Sequence, residues 1–316
     1  MQSKVKTLIS RSVVIWGFIL LLLMIPACTR DSSQGKIIVV TTNNIIADWA
    51  MHVGGEKVEV HSLLAAGVDP HTFQPGAGDV AVVAKARVIF TIGLGLEGAW
   101  LNRLLENAAA SPDRVKTLGD QVNPLAAPEE KQGIPAEDQA RIFDPHFWWD
   151  PLKAKIAVDE IAHQLIIVDP DNTGIYTQNS DIYTDELNKL DTRIKQNIMQ
   201  IPTERRKIVT SHETMQYFAV HYGFEAVGSI FAGVTTEKEP SPAELSTLTK
   251  NIESLGVPAI FTETTVNDRL ARAIATETGV RIVRLYSDSL GLPGSGADTY
   301  IAMMDTDIKL IVDALE

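Results

Sequence analysis

Midway along this 316-residue chain, residues 172–199 carry Ile175, Ile182, Leu187, Leu190, Ile194 and Ile198 at helical spacing, with no internal breaker. That is roughly seven turns of uninterrupted helix. Asp169-Pro170-Asp171 stands before it and Pro202 after it, so the chain supplies its own start and stop. A helix this long exceeds what one small lobe needs, and it reads as a rigid connector. On both sides of it, short apolar runs alternate with amphipathic stretches. Strands are expected at 37–42, 58–64, 87–92 and 115–118 before the connector, and at 207–210, 225–230, 259–262 and 281–285 after it. Strands alternating with helices imply an α/β architecture with a parallel sheet in each half. The division expected is an N-terminal α/β lobe at 37–171, a connecting helix at 172–201 and a C-terminal α/β lobe at 202–316. Ligand sites in such sheets lie beyond the carboxyl ends of the strands.

The first residues belong to no lobe. Lys4, Lys6 and Arg11 precede an apolar run over 13–25, which closes on Ile25-Pro26-Ala27-Cys28. A basic start, a short apolar run and a small residue before the cut describe a secretory signal at 1–27, and the run is too short to span a bilayer comfortably. Cys28, the only cysteine, follows the small residue directly. This resembles a lipoprotein lipobox, which implies that Cys28 is lipidated and becomes the mature N-terminus, with residues 28–36 as a tether. A chain with one cysteine has no intrachain disulfide, and a metal site in it must use nitrogen and oxygen ligands. Removing 1–27 takes away three basic and no acidic side chains, so the formal charge moves from −12 to −15. An acidic body argues against nucleic acid as a partner and favours attraction of cations.

Asp-Pro-His occurs twice, at 69–71 and 144–146, each time in a stretch that reads as loop and leads into aromatic residues. Imidazole is the commonest protein ligand for zinc and other borderline metals, and a nearby Asp can orient the ring. His71 and His146 therefore stand out, with Asp69 and Asp144 as orienting candidates. His212 follows the strand expected at 207–210, at the same edge of its sheet, and Asp288 follows the strand expected at 281–285. The other histidines, His52, His61, His163 and His221, fall within or at the ends of helices and strands, and read as structural. Three imidazoles and one carboxylate make an N3O set suited in geometry and charge to Zn²⁺.

The segments Asp69-Pro70-His71-Thr72-Phe73-Gln74-Pro75 and Asp144-Pro145-His146-Phe147-Trp148 resemble signature segments of the metal-binding solute-binding lipoproteins of zinc and manganese ABC importers. Gly93-Leu94-Gly95-Leu96-Glu97, Ser211-His212, Phe261-Thr262-Glu263-Thr264 and Tyr286-Ser287-Asp288-Ser289 fit the same family, in order over the mature chain. The resemblance implies two Rossmann-like lobes joined by one long helix, with the ion between them, held by His71, His146, His212 and Asp288. It also implies a membrane permease with its ATPase as partners, a lipid anchor outside the cytoplasm, small closure motions and no catalysis. A monomer is expected. Manganese-type members tend to carry Glu where this chain has His212, and nitrogen in place of oxygen favours zinc over the harder manganese ion. The His-rich loop of many zinc-type members has no counterpart in Glu129-Glu130-Lys131-Gln132-Gly133, which keeps Mn²⁺ open.

Three other readings compete. Gly93-Leu94-Gly95-Leu96-Glu97-Gly98 satisfies the dinucleotide pattern G-x-G-x-x-G, but a tight strand-to-helix turn explains it without a nucleotide. A zinc hydrolase would use three ligands and an open water position, with Asp288, Glu263 or Glu213 as general base. No His-Glu-x-x-His is present. A surface adhesin without transport would use the same body. Trp148 and Trp149 follow the His146 loop and are expected to pack between the lobes and to report metal binding by fluorescence. Because imidazoles must be neutral to bind, affinity is expected to fall as pH drops through about 6.

Overall fold

The computed structural model describes residues 35–127 and 143–316. The signal segment, Cys28, most of the tether and the 129–133 stretch lie outside the described residues.

Two four-stranded parallel sheets form the framework. The first contains β1 (Ile37–Thr41), β2 (Val58–Ser62), β3 (Val88–Thr91) and β4 (Val115–Thr117) in the order β2-β1-β3-β4. The second contains β5 (Lys207–Thr210), β6 (Glu225–Ser229), β7 (Ala259–Glu263) and β8 (Arg281–Leu285) in the order β6-β5-β7-β8. The second half therefore repeats the winding of the first. Parallel sheets are covered on both faces, and their central strands are apolar without alternation. Val88–Thr91 and Ala259–Glu263 are accordingly buried at every position. In such windings the crevice opens where neighbouring strands leave in opposite directions, here at the carboxyl ends of β1 and β3 and of β5 and β7.

Helices α1 (Asn44–Gly54), α2 (Ala77–Lys85), α3 (Gly98–Asn107) and α4 (Pro151–Val168) belong to the first half. Asn43 caps α1 by accepting from the Ile46 N–H at 3.0 Å, and Asp150 caps α4 by accepting from the Leu152 N–H at 2.8 Å. Pro151 sits at the first turn of α4, where its missing N–H costs nothing. Helix α5 (Thr173–Ile198) is the connector, about 39 Å long at 1.5 Å per residue. In the second half, α6 (Gln216–Tyr222), α7 (Pro242–Leu255), α8 (Arg269–Thr278) and α9 (Tyr300–Leu315) follow. Helix α7 opens with a capping box, in which Ser241 and Glu244 exchange hydrogen bonds. Helix α6 begins only at Gln216, so His212 stands in an irregular stretch between β5 and that helix.

The buried stripe of α5 differs from the sequence expectation in its first half. Ile175 and Ile182 are 38 % and 55 % exposed, and Tyr176 and Tyr183 face inward instead. Tyrosine can be buried when its hydroxyl finds an acceptor. Tyr176 donates to Asp169 Oδ2 at 2.6 Å and Tyr183 donates to Asp48 Oδ2 at 3.0 Å. Helix α5 packs on α1 and α4 and also on α9, so it touches both halves.

One apolar cluster runs continuously from the first half through Phe147, Trp148, Trp149 and α5 to Tyr300 and α9. Each sheet keeps a smaller cluster on its far side. The Trp148 indole donates to the Ser287 carbonyl at 2.9 Å, and the Tyr300 hydroxyl donates to the Trp148 carbonyl at 2.6 Å. The two tryptophans thus pack between the halves as expected. Aromatics of this size each withdraw on the order of 150–250 Å² from water, which opposes wide separation of the sheets. Among the described residues, no helix is long and apolar enough to cross a membrane.

Candidate metal centre

His71, His146, His212 and Asp288 come together from four loops that leave the carboxyl edges of the two sheets. Each offers one ligand atom, and these four atoms lie within 4.8 Å of one another. All four side chains are buried; His71, at 7 % exposure, is the nearest to solvent. His212 Nε2 lies 3.1 Å from His146 Nε2 and 3.6 Å from Asp288 Oδ2, and His71 Nε2 lies 4.0 Å from the same oxygen. Ligands about 2.0–2.1 Å from a tetrahedral ion would stand roughly 3.3 Å apart, so small side-chain adjustments would enclose one. His71 Nε2 and Asp288 Oδ2 have no hydrogen-bond partner although both are buried. Buried polar atoms are rarely left so, and two of them aimed at one point fit a cation.

The sequence positions each side chain differently. Asp144 Oδ1 accepts from the His146 backbone N–H at 2.9 Å, the local turn that Asp-Pro-His favours, and also from the ring Nδ1 at 2.7 Å. Asp69 Oδ1 makes the same backbone bond to the His71 N–H at 2.9 Å. Its other oxygen turns away from the ring and accepts from Thr236 Oγ1 at 2.6 Å. The expectation that both aspartates orient rings thus holds for Asp144, while Asp69 ties its loop to the second half. Asp288 Oδ1 accepts from Ser287 Oγ at 2.8 Å and Thr214 Oγ1 at 3.3 Å, which leaves Oδ2 facing the cluster.

Glu263, at the end of β7, places Oε2 2.9 Å from His212 Nδ1. The sequence raised Glu263 only as a possible base; here it stands behind His212 and orients that ring. A carboxylate behind an imidazole fixes the tautomer and strengthens a ligand. Its position directly after the strand expected at 259–262 was the available signal.

His146 sets its Nδ1 against Asp144, which turns its Nε2 toward the cluster. His212 sets its Nδ1 against Glu263, with its Nε2 3.1 Å from that of His146, and two carboxylates face its imidazolium form. Burial disfavours that imidazolium, but the Glu263 and Asp288 carboxylates outweigh burial and push the His212 pKa up to about 9. His71 shifts the other way: burial first, and then the neighbouring His212, hold it well below the ordinary imidazole value. Burial pushes Asp288 up, and His212, His146 and His71 together hold it below the usual carboxylate range. His212 is therefore protonated in the metal-free cluster at neutral pH, beside the place a cation would take.

The remaining histidines have other partners. His221 Nε2 lies 2.8 Å from Asp191 Oδ1, His61 Nε2 lies 2.9 Å from Glu59 Oε1, and His52 Nδ1 lies 2.8 Å from the Asp48 carbonyl. His163 is exposed beside Glu160. The glycine-rich turn at 93–98 is built around Glu97. Its buried carboxylate accepts from the Ile92 and Gly93 N–H groups at 2.7 and 2.9 Å and from Thr42 Oγ1 at 2.7 Å. Those are the backbone donors a phosphate would need, so the protein's own acid fills the place. Gly93 is required there: its φ is +75° and a Cβ would meet Thr117 Cγ2 at 2.1 Å.

The family described as zinc-uptake complex component A periplasmic matches residues 39–314. The metal ABC transporter substrate-binding lipoprotein FimA of Streptococcus parasanguinis is 33 % identical over 306 residues, covering 94 % of this chain and 96 % of that protein. The manganese ABC transporter substrate-binding lipoprotein PsaA of Streptococcus pneumoniae is 33 % identical over 307 residues, covering 94 % and 96 %. Among solved structures, the periplasmic zinc binding protein TroA from Treponema pallidum superposes with a TM-score of 0.78 at 30 % identity, covering 89 % of this chain and 99 % of that one. The chain belongs to the family of zinc-uptake complex component A periplasmic proteins, metal-binding components of importers rather than enzymes.

Proposed function

We propose that this protein captures Zn²⁺ outside the cytoplasmic membrane through His71, His146, His212 and Asp288 and hands it to an importer permease driven by an ATPase. The convergence of these four buried side chains, two of them with unpartnered atoms facing the same point, is the observation that carries the reading. In this view the signal segment directs export and lipidated Cys28 anchors the chain at the membrane, as in the lipoproteins it is similar to. The protein acts by binding and release. Residues 37–171 and 202–316 serve as the two lobes, and the shared apolar cluster around Trp148 and α5 restricts their relative movement.

Zinc is favoured by the donor set. Three nitrogens and one oxygen suit a borderline ion better than the harder Mn²⁺. Manganese is the second reading, favoured by relatives such as PsaA that are named for it. Elemental analysis of the mature protein purified without added metal tests the cargo. We expect about one zinc per chain, lost in His212→Ala and in Asp288→Ala. Stoichiometric manganese with little zinc would reverse the preference, and no transition metal under any loading condition would remove the proposal.

A further inference from the structure

The loop that carries Asp288 is tied to the first half by a hydrogen-bonded node that touches none of the four candidate ligands. Ser289, next in the chain to Asp288, is buried. Its Oγ accepts from the Gly67 N–H at 2.8 Å and from Asn44 Nδ2 at 3.1 Å, and donates to the Leu290 carbonyl at 3.0 Å. The Asn44 Oδ1 accepts from the Leu290 N–H at 2.9 Å. A backbone N–H can only donate, so Oδ1 must face Leu290 and Nδ2 must face Ser289; a flipped amide would set two donors against each other at Leu290. Asn44 opens α1, and Gly67 lies in the loop that leads to His71. One amide and one hydroxyl thus join the Asp288 loop, the His71 loop and α1.

His71 is the candidate ligand nearest solvent, and its ring faces Asp288 Oδ2 at 4.0 Å. Separating these two loops opens the cluster on its exposed side without disturbing His146 and His212 in the interior. The second tie on the His71 loop, Thr236 Oγ1 to Asp69 Oδ2, also runs to the second half. We propose that Asn44 and Ser289 form a latch that holds the Asp288 loop against the His71 loop and thereby sets how fast the captured ion leaves. This rests on the metal-capture reading above. Both are positioning residues: they act through Asp288 and His71, and neither contacts the ion.

The test is stopped-flow release of Zn²⁺ from the mature protein into excess EDTA, with association measured separately. Asn44→Ala and Ser289→Ala are each expected to raise the dissociation rate about tenfold, equivalent to about 1.4 kcal/mol. Association and the thermal midpoint of the metal-free protein should change little. The double variant should speed release by less than the product of the two single effects, since both break the Asn44–Ser289 bond. Ser289→Thr keeps the oxygen and should restore a near wild-type rate. Rates within twofold of wild type in folded single variants overturn the latch, as does a double variant whose effect is the product of the two. A general loss of fold, with slower association and a lower midpoint in step with faster release, also overturns it. If Ser289→Ala does not fold, Asn44→Ala and Ser289→Thr decide alone. A wild-type chain that binds no zinc defeats the reading beneath; tight zinc binding with unchanged release defeats only the latch.

Discussion

The two Asp-Pro-His loops share three residues and one backbone turn, and then diverge. In both, the Asp Oδ1 accepts from the His N–H at 2.9 Å. At His146 the same carboxylate also grips the ring, the loop is wholly buried, and Trp148 stacks edge-on with centroids 5.1 Å apart. At His71 the carboxylate reaches across to Thr236 and the ring nitrogen is left unpartnered and slightly exposed. One copy holds its ring fast within the core; the other ties its loop to the second half. The tripeptide dictates the turn, and the surroundings decide what the second carboxylate oxygen does.

Removing a ligand should outweigh every other change. His146→Ala is expected to lower zinc affinity by more than the roughly 10–100-fold typical of losing an outer partner, measured by competition with a chromophoric chelator. Retention of tight, stoichiometric binding in that variant would break the assignment of the buried copy.

Proton competition comes next. With the His212 pKa near 9, the metal-free site is protonated on that imidazole at neutral pH, and a bound ion must expel the proton. The sign is therefore that affinity rises with pH up to about 9 and falls about tenfold for each unit below it. The loss expected from unperturbed histidines begins only near 6. Calorimetry at pH 7.5 in buffers of different ionisation enthalpy should show about one proton released per ion. No buffer dependence would contradict the proton placed on His212.

The aspartates give the sharpest contrast between the loops. Asp144→Asn keeps the shape but removes the charge behind the ring, and should weaken binding about tenfold. Asp69→Asn preserves the turn and can still bond Thr236, so a change below about threefold is expected. Equal effects on equilibrium affinity would erase the distinction drawn here. The smallest signal is optical. Trp148 lies against His146 and holds the Ser287 carbonyl, so zinc should shift the intrinsic emission, and Trp148→Phe should remove most of that shift. An unchanged spectrum in the wild-type chain would count against this placement.

What the amino-acid order determined by itself acts over one or two turns of chain. The alternation of strands and helices, the unbroken α5, the caps at Asn43, Asp150 and Ser241, and the Asx turns before both histidines all follow from neighbours within a few residues. Strand-exit logic placed His71, His146, His212 and Asp288 at one edge because a parallel sheet sends all its carboxyl ends the same way. Tertiary structure decided the rest, through partners far apart in the chain. Glu263 meets His212 across 51 positions, Thr236 meets Asp69 across 167, and Asn44 meets Ser289 across 245. It also turned Tyr176 and Tyr183 inward in place of Ile175 and Ile182, because Asp169 and Asp48 were there to accept their hydroxyls. Periodicity records which residues are apolar, whereas burial of a polar group depends on an acceptor that only the assembled fold brings within reach.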